Sequence, residues 1–373
     1  MITNIQALRA FASVAVMLYH MNYPFLPGLQ TDFQGVAIFF VISGFIMTHI
    51  THQDKRETTP AAFMLHRLIR IVPLYWFSVL VFLWLSNLGA LNLAGTLPRI
   101  GKLAMEAPLS LLDWFGSTFH LFAWASPADV IRTLLFIPYR NLNGHLQPLL
   151  GVGWTLNIEM YFYALFALML LFGSRRAPTF TGIAIVVVWL VGKGAGEAGA
   201  DWLQLYSSDY VLCFTGGITI YYLWRRCQQA AANQQNRRQF MVLASVLTLI
   251  YVVSNLNPFQ WTAHHSPASL ITSVPLVFAS LIAHSLGLRL TSPWVLLLGA
   301  ASYSLYLVHT VVLEVLRTPA QEFFPFLRYD RTLSGVVIAA MACLVVAIII
   351  HLTVEMPSLR WLRGKVFPRP ATS

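Results

Sequence analysis

Long apolar stretches recur along the whole chain, separated by short polar and basic connections. They run roughly over 5–22, 33–51, 72–92, 152–172, 179–194, 208–224, 239–256, 268–286, 293–314 and 333–353. A helix needs about 20 apolar residues to cross a bilayer. The pattern therefore predicts an all-α integral membrane protein with about ten transmembrane helices. One region breaks it. Between the third and fourth stretches, 93–151 holds a half-polar segment, Lys102 to Trp124, that carries Glu106, Asp113 and His120. A shorter amphipathic segment, Ala128 to Phe136, follows. Both are read as interfacial or re-entrant helices. No polar stretch is long enough for a second core, so 1–373 is expected to form a single membrane domain. The first stretch has no basic leader and ends in His-Met-Asn-Tyr without a small-residue cleavage site. It is read as a retained span.

Composition agrees with this reading. The chain is 57% hydrophobic and 10% charged, where a soluble domain carries about 25% charged residues. The formal charge of +10 does not point to nucleic acid, because the basic residues cluster at the ends of apolar runs. With the N-terminus inside, the inner connections hold the pairs Lys55/Arg56, Arg67/Arg70, Arg175/Arg176, Arg225/Arg226 and Arg237/Arg238, with Arg289 and a basic C-terminal tail through Arg369. The outer ones hold fewer: Arg99, Lys102, Arg132, Arg140, Lys193, Arg317, Arg328 and Arg331. This asymmetry predicts N-in, C-in. Cys213, Cys227 and Cys343 lie far apart and suggest neither a disulfide framework nor a metal site. No phosphate loop or dinucleotide fingerprint is present.

Ionisable residues inside spans are costly and mark substrate or proton sites. Arg9 and His20 stand eleven residues apart in the first stretch. That is close to three helical turns, so they share nearly one face. At about 1.5 Å per residue, His20 lies ~22 Å up an outward-running helix. His309, in the ninth span, reaches a similar level. Glu159 lies ~10 Å below the outer edge of the fourth. All three fall in the outer half of a roughly 30 Å core. Arg9 sits near the inner leaflet. Arg67 and Arg70, at i and i+3, share a face at the inner edge just before the third span. An anionic carrier could enter the basic inner mouth, and its reactive end could meet an external acceptor at the titratable cluster.

At these residues the chain resembles the acyltransferase 3 family of integral-membrane acyltransferases. Arg9 and His20 look like its Arg-x10-His motif. GVAIFFVISGFIM is similar to its FFxxSGF signature, here Phe39, Phe40, Ser43, Gly44 and Phe45. HRLIRIVPLYW resembles its RxxRxxPxYW element, with Arg67, Arg70, Pro73, Tyr75 and Trp76. GWTLNIEMYFY resembles WSLxxExxFY, with Trp154, Thr155 in place of the usual Ser, Leu156, Glu159, Phe162 and Tyr163. SYSLYLVH looks like SYxxYLxH, with Ser302, Tyr303, Tyr306 and His309, and the closing VEMP supplies Glu355 and Pro357. No SGNH-type hydrolase domain follows the last span, so the chain resembles the short, stand-alone branch that decorates exopolysaccharides. The resemblance implies transfer of an acyl group, most often acetyl, from cytoplasmic acyl-CoA to a glycan hydroxyl. No metal is expected. The expected partners are the lipid bilayer and a glycan or lipid-linked oligosaccharide acceptor, and the expected place is a bacterial inner membrane.

Each residue has a plainer alternative. His20 is expected to act as general base on a sugar hydroxyl, against a hydrogen-bonded core histidine. Arg9 is expected to bind the donor or organise the site, against snorkelling. Glu159 is expected to orient the imidazole, against an inter-helix tie. Arg67 and Arg70 suit the phosphates of CoA, against mere topology signals. Ser43 could donate to the thioester oxygen, although it and Gly44 also suit close helix packing. His309 is either a second catalytic or acceptor-binding group or a structural partner. Trp154, Tyr163, Tyr303 and Tyr306 either stack on sugar or pack helices. Glu355 is expected to pair with a cytoplasmic arginine, and His264 and His265 to be surface residues. A different class of function, a transporter of a glycan, lipid or organic anion without chemistry, fits the intramembrane charges equally well. The absence of a sequence repeat counts against it.

Overall fold

The computed structural model describes residues 2–23, 33–53, 58–89, 93–120, 125–141, 143–196, 199–256, 268–322 and 324–367. Lys55, Arg56, His264, His265 and Arg369 lie outside them. Among the described residues there are helices and no strand.

Every expected span has a helix over it. In order these are α1 (Thr3–His20), α2 (Gly35–Gln53), α3 (Pro60–Asn87), α7 (Gly153–Met169), α8 (Ala177–Ala195), α10 (Val211–Ala232), α11 (Arg237–Leu256), α12 (Ala268–Ser285), the pair α13 (Pro293–Ala300) and α14 (Ser302–Glu322), and α15 (Leu333–Ile350). Among the described residues six helical runs are long and apolar enough to cross a membrane, and the α13–α14 pair makes a seventh if it counts as one span. The count of ten is therefore not reached by length and composition. α1 falls short because Asn4, Gln6, Arg9, Ser13 and His20 interrupt its apolar surface, and α10 because it ends in Arg225, Arg226 and Gln228. The chain is nonetheless a multi-pass membrane protein. Its long helices carry exposed apolar faces, such as Ile183, Val187 and Leu190 on α8 or Val337, Met341 and Val345 on α15, which only lipid makes favourable in number.

Two differences from expectation bear on the site. α3 starts at Pro60, so Arg67 and Arg70 lie within the helix rather than ahead of it. Pro60 occupies the helix start, where its missing N–H costs nothing. The ninth stretch is not one straight span. It breaks at Ala301 into α13 and α14, bent by 69°. Between α3 and α7 lie α4 (Leu93–Glu106), α5 (Pro108–Ser117) and α6 (Pro127–Leu134), of 14, 10 and 8 residues, and the short α9 (Asp201–Tyr206) precedes α10. None is long enough to span. Met105, Leu109 and Leu112 are exposed on α4 and α5.

The chain divides into two compact units. The first comprises residues 1–16, 26–67 and 155–302. Here α2 packs on α10, and α10 on α8 and α12. The α2–α10 contact is backbone against backbone. A Cβ on Gly44 would stand 2.2 Å from the Phe214 carbonyl oxygen, and one on Gly217 would stand 2.1 Å from that of Val41. Small residues permit such approach between membrane helices. Phe214 then stacks on Phe162 of α7 at 4.1 Å and lies 4.7 Å from Phe40. The start of α1 is fastened in this unit as well. Asn4 donates to the Leu288 carbonyl at 2.9 Å and accepts from the Leu290 N–H at 3.0 Å. Gly44→Ala is expected to force α2 and α10 apart. Overpacking of this kind costs about 1–3 kcal/mol, and a lowered thermal midpoint in detergent is the measurement. An unchanged midpoint would mean that the contact is slack.

The second unit comprises residues 17–25, 68–154 and 303–373. Its short helices are tied to α3. Asn87 donates to the carbonyls of Thr118 and His120 at 3.1 and 2.7 Å, and Trp76 Nε1 to that of Leu134 at 2.9 Å. Ser126 caps α6 by accepting from the Asp129 N–H. After α6 the Tyr139 hydroxyl meets Thr133 Oγ1 at 3.0 Å. Burial holds this phenol above its ordinary pKa. From Ser304 to His309 α14 is buried all round, as a core helix in a bundle must be. α15 runs into a π-helical turn, His351–Glu355, and then α16 (Met356–Val366).

Candidate active site

In the second unit, His20 is the last residue of α1 and is exposed. Its Nδ1 lies 3.4 Å from Nε2 of His309, with ring centroids 4.9 Å apart. His309 is fully buried, and its Nδ1 donates to the Leu305 carbonyl at 3.0 Å. Its own carbonyl accepts a weak contact from Cys343 Sγ at 3.8 Å. Tyr306 packs its ring 5.9 Å from His309 and donates to the Val152 carbonyl at 3.3 Å. Tyr303 donates to the Ile71 carbonyl at 2.8 Å. The Tyr303 phenol thus ties α14 to α3, and that of Tyr306 ties α14 to the turn before α7. Trp154, in the first turn of α7, is half-buried.

In the first unit a second polar group forms at Glu159 of α7. Ser43 Oγ of α2 donates to Glu159 Oε1 at 3.0 Å, and the Tyr163 hydroxyl donates to the same oxygen at 2.5 Å. The guanidinium of Arg67 lies 5.8 Å from the centroids of both the Tyr163 and the Phe63 rings. Tyr163 therefore joins carboxylate and guanidinium, its hydroxyl on one and its ring on the other. Ser43, Glu159 and Arg67 are brought together here, with Tyr163 as the link. The single hydroxyl proton of Ser43 is engaged with Glu159, so it is not aimed at a thioester oxygen in this arrangement. Glu159, expected to orient the imidazole, has Ser43 and Tyr163 as partners. Arg9 donates to Gln6 Oε1 at 3.5 Å, one turn earlier on α1. Arg70 is half-buried on α3, three residues from Arg67.

Among the described residues Glu355 pairs with no arginine. It is buried, and its Oε2 accepts from His351 Nδ1 and from Ser304 Oγ, each at 2.7 Å. A carboxylate buried among helices needs partners at hand, and the π-helical turn brings His351 onto the same face. His351 and Ser304 were not singled out in the sequence. The signal was the His351/Glu355 spacing of i, i+4 in an otherwise apolar run. Among the described residues no group of His, Cys, Asp and Glu could hold a metal.

Comparison with known proteins bears on what this arrangement serves. An acyltransferase domain model matches residues 2–352. The exopolysaccharide production protein ExoZ of Rhizobium meliloti is 30% identical over 336 residues, covering 89% of this chain and 90% of that protein. The putative peptidoglycan O-acetyltransferase YrhL of Bacillus subtilis is 24% identical over 86% of this chain and 50% of its own length. The O-acetyltransferase OatA of Staphylococcus aureus is 24% identical over 82% and 49%. The chain thus spans about half of each of the last two. No solved structure gives a significant match. With the family's motifs in order and its domain matched over nearly the whole length, the chain belongs to the acyltransferase 3 family.

Proposed function

We propose that this protein is a membrane O-acyltransferase that moves an acetyl group from cytoplasmic acyl-CoA to a hydroxyl of an exopolysaccharide or related envelope glycan, as one membrane domain over 1–373. The observation that carries the reading is the accessible imidazole of His20, at a helix C-terminus and backed by a buried second histidine. Relatives named for exopolysaccharide production and O-acetylation support the acceptor and the acyl group.

In the proposed reaction His20 takes the proton of the acceptor hydroxyl as its oxygen attacks the thioester carbonyl. The C–O ester bond forms and the C–S bond breaks. The imidazolium returns its proton to the departing thiolate, so free CoA thiol and ester leave together. Arg67 and Arg70 hold the donor's phosphates, a task for which a planar guanidinium fork is suited. Arg9 organises the donor side of α1. Ser43 and Glu159 act there through Tyr163 and Arg67. His309 backs the base, and Trp154 and Tyr303 border the acceptor. The most direct identification of the product is mass spectrometry with linkage analysis of the host polysaccharide, with and without the gene. Loss of O-acetyl esters from one sugar position is the expected result. An unchanged ester content would remove that glycan as acceptor.

The proposal sets both chain ends on the cytoplasmic side, of a bacterial inner membrane, with α4–α6 at the outer interface. A single cysteine at 199–207 is then expected to label from outside, and one at 233–236 only after permeabilisation. The reverse pattern would mean that 93–151 contains one further span, and the placing of α4–α6 at the outer interface would then fail.

A further inference from the structure

Two hydrogen bonds determine which nitrogen of His20 can act. A carbonyl oxygen only accepts, so the contact between His309 Nδ1 and the Leu305 carbonyl at 3.0 Å places a proton on Nδ1. His309 is fully buried, where an uncompensated charge is costly. It is held as the neutral ring, and its Nε2 carries a lone pair. That lone pair faces Nδ1 of His20 at 3.4 Å. Two lone pairs would repel, so His20 Nδ1 carries the proton and donates. A neutral His20 then has its lone pair on Nε2, the far corner of an exposed ring.

We infer that His309 is a positioning residue that fixes His20 as the Nδ1–H tautomer and so makes Nε2 the basic nitrogen. It takes the part that a carboxylate plays in a Ser-His-Asp triad, with a neutral acceptor in place of a charged one. The direction of proton flow follows. The acceptor hydroxyl gives its proton to Nε2, both ring nitrogens are then protonated, and the Nδ1–H bond to His309 persists throughout. Nothing needs to rotate between the two states. The Leu305 carbonyl is the ultimate anchor, and a backbone carbonyl in a buried helix cannot titrate. This inference rests on the reading of His20 as the base, but the tautomer itself does not depend on it.

The test has one arm that needs no activity. ¹⁵N NMR of the full-length protein labelled at histidine, with the His20 signal assigned by its loss in His20→Gln, reads the tautomer directly. The expected result is a protonated Nδ1 and a bare Nε2 at a pH where the ring is neutral. The opposite tautomer overturns the inference whether or not the protein proves to be an acyltransferase. The second arm is kinetic. His309→Leu removes the acceptor, and kcat is expected to fall roughly 10- to 100-fold with KM little changed, since a misplacement of about 1 Å in a reacting group costs up to about 10²-fold. His309→Gln sets an amide oxygen close to where Nε2 stood and should restore much of the loss. His309→Asn, whose amide reaches only the Nδ1 position, should not. Equal defects in the Gln, Asn and Leu proteins, each shown folded by its thermal midpoint, would reduce His309 to a packing residue. An inactive wild-type protein with the expected tautomer would instead count against the acyltransferase reading.

Discussion

Replacing His20 with alanine is expected to lower acyl transfer by roughly 10²–10⁴-fold, the range that a positioned acid or base supplies. Insertion and abundance should stay normal. His20 is exposed at the end of α1, so its side chain fills no core space and leaves no cavity when cut back. The substitution does leave His309 without its histidine neighbour. His309 retains its bond to the Leu305 carbonyl and is neutral, so the cost to folding should be small. The loss should therefore appear in kcat. Membrane fractions matched for protein content, assayed for acetyl ester formation, give the comparison. Near-normal turnover in a well-inserted His20→Ala protein would take His20 out of the mechanism.

The second large effect concerns Arg67 and Arg70. Hydrogen bonds to charged groups are worth about 1.5–3 kcal/mol, and 1.4 kcal/mol is about a decade in affinity. Loss of one phosphate contact should raise the donor dissociation constant roughly ten- to a hundred-fold. Lysine is expected to recover little at either position, because an ammonium lacks the planar fork. Arg67 has a further reason. Its guanidinium lies against the rings of Phe63 and Tyr163, and a planar cation stacks where a compact one does not. If the two arginines only mark sidedness, lysine should serve fully, since the positive-inside rule counts both alike. The measurement is acyl-CoA affinity of purified Arg67→Lys and Arg70→Lys proteins. Wild-type affinity in both would leave the donor site elsewhere.

How much of this was legible in the sequence depends on range. The apolar runs located all the long helices, because a membrane span is a local property of some 20 residues. The start of α3 was misjudged by twelve residues, because His66, Arg67 and Arg70 are compatible with a helix but not with a lipid-facing span. The break at Ala301 was missed for a different reason. Gly299 approaches the Gln6 carbonyl so closely that a Cβ there would stand 2.2 Å from it, and that contact is set by a helix nearly three hundred residues away. The site shows the same division. Arg9 and His20 were placed on one helix by their spacing alone. The facing of His20 by His309, and of Ser43 by Glu159, joins distant parts of the chain, and periodicity within a span says nothing about which span lies beside it. Glu355 is the instructive error. Charge alone suggested a basic partner, while the partner four residues earlier, His351, lay within reach of helical arithmetic.

The central claim is chemical, that a proton, an acyl group and a thiol change places at this protein. It is tested most directly with purified wild-type protein in detergent, where no gradient exists, supplied with labelled acetyl-CoA and the host's deacetylated polysaccharide. The account predicts labelled, alkali-labile ester on the glycan, one free CoA thiol for each ester formed, and neither product above background with His20→Ala. Glycan that stays unlabelled in the presence of folded protein with bound acetyl-CoA would contradict it, and would leave a carrier that binds the donor without chemistry.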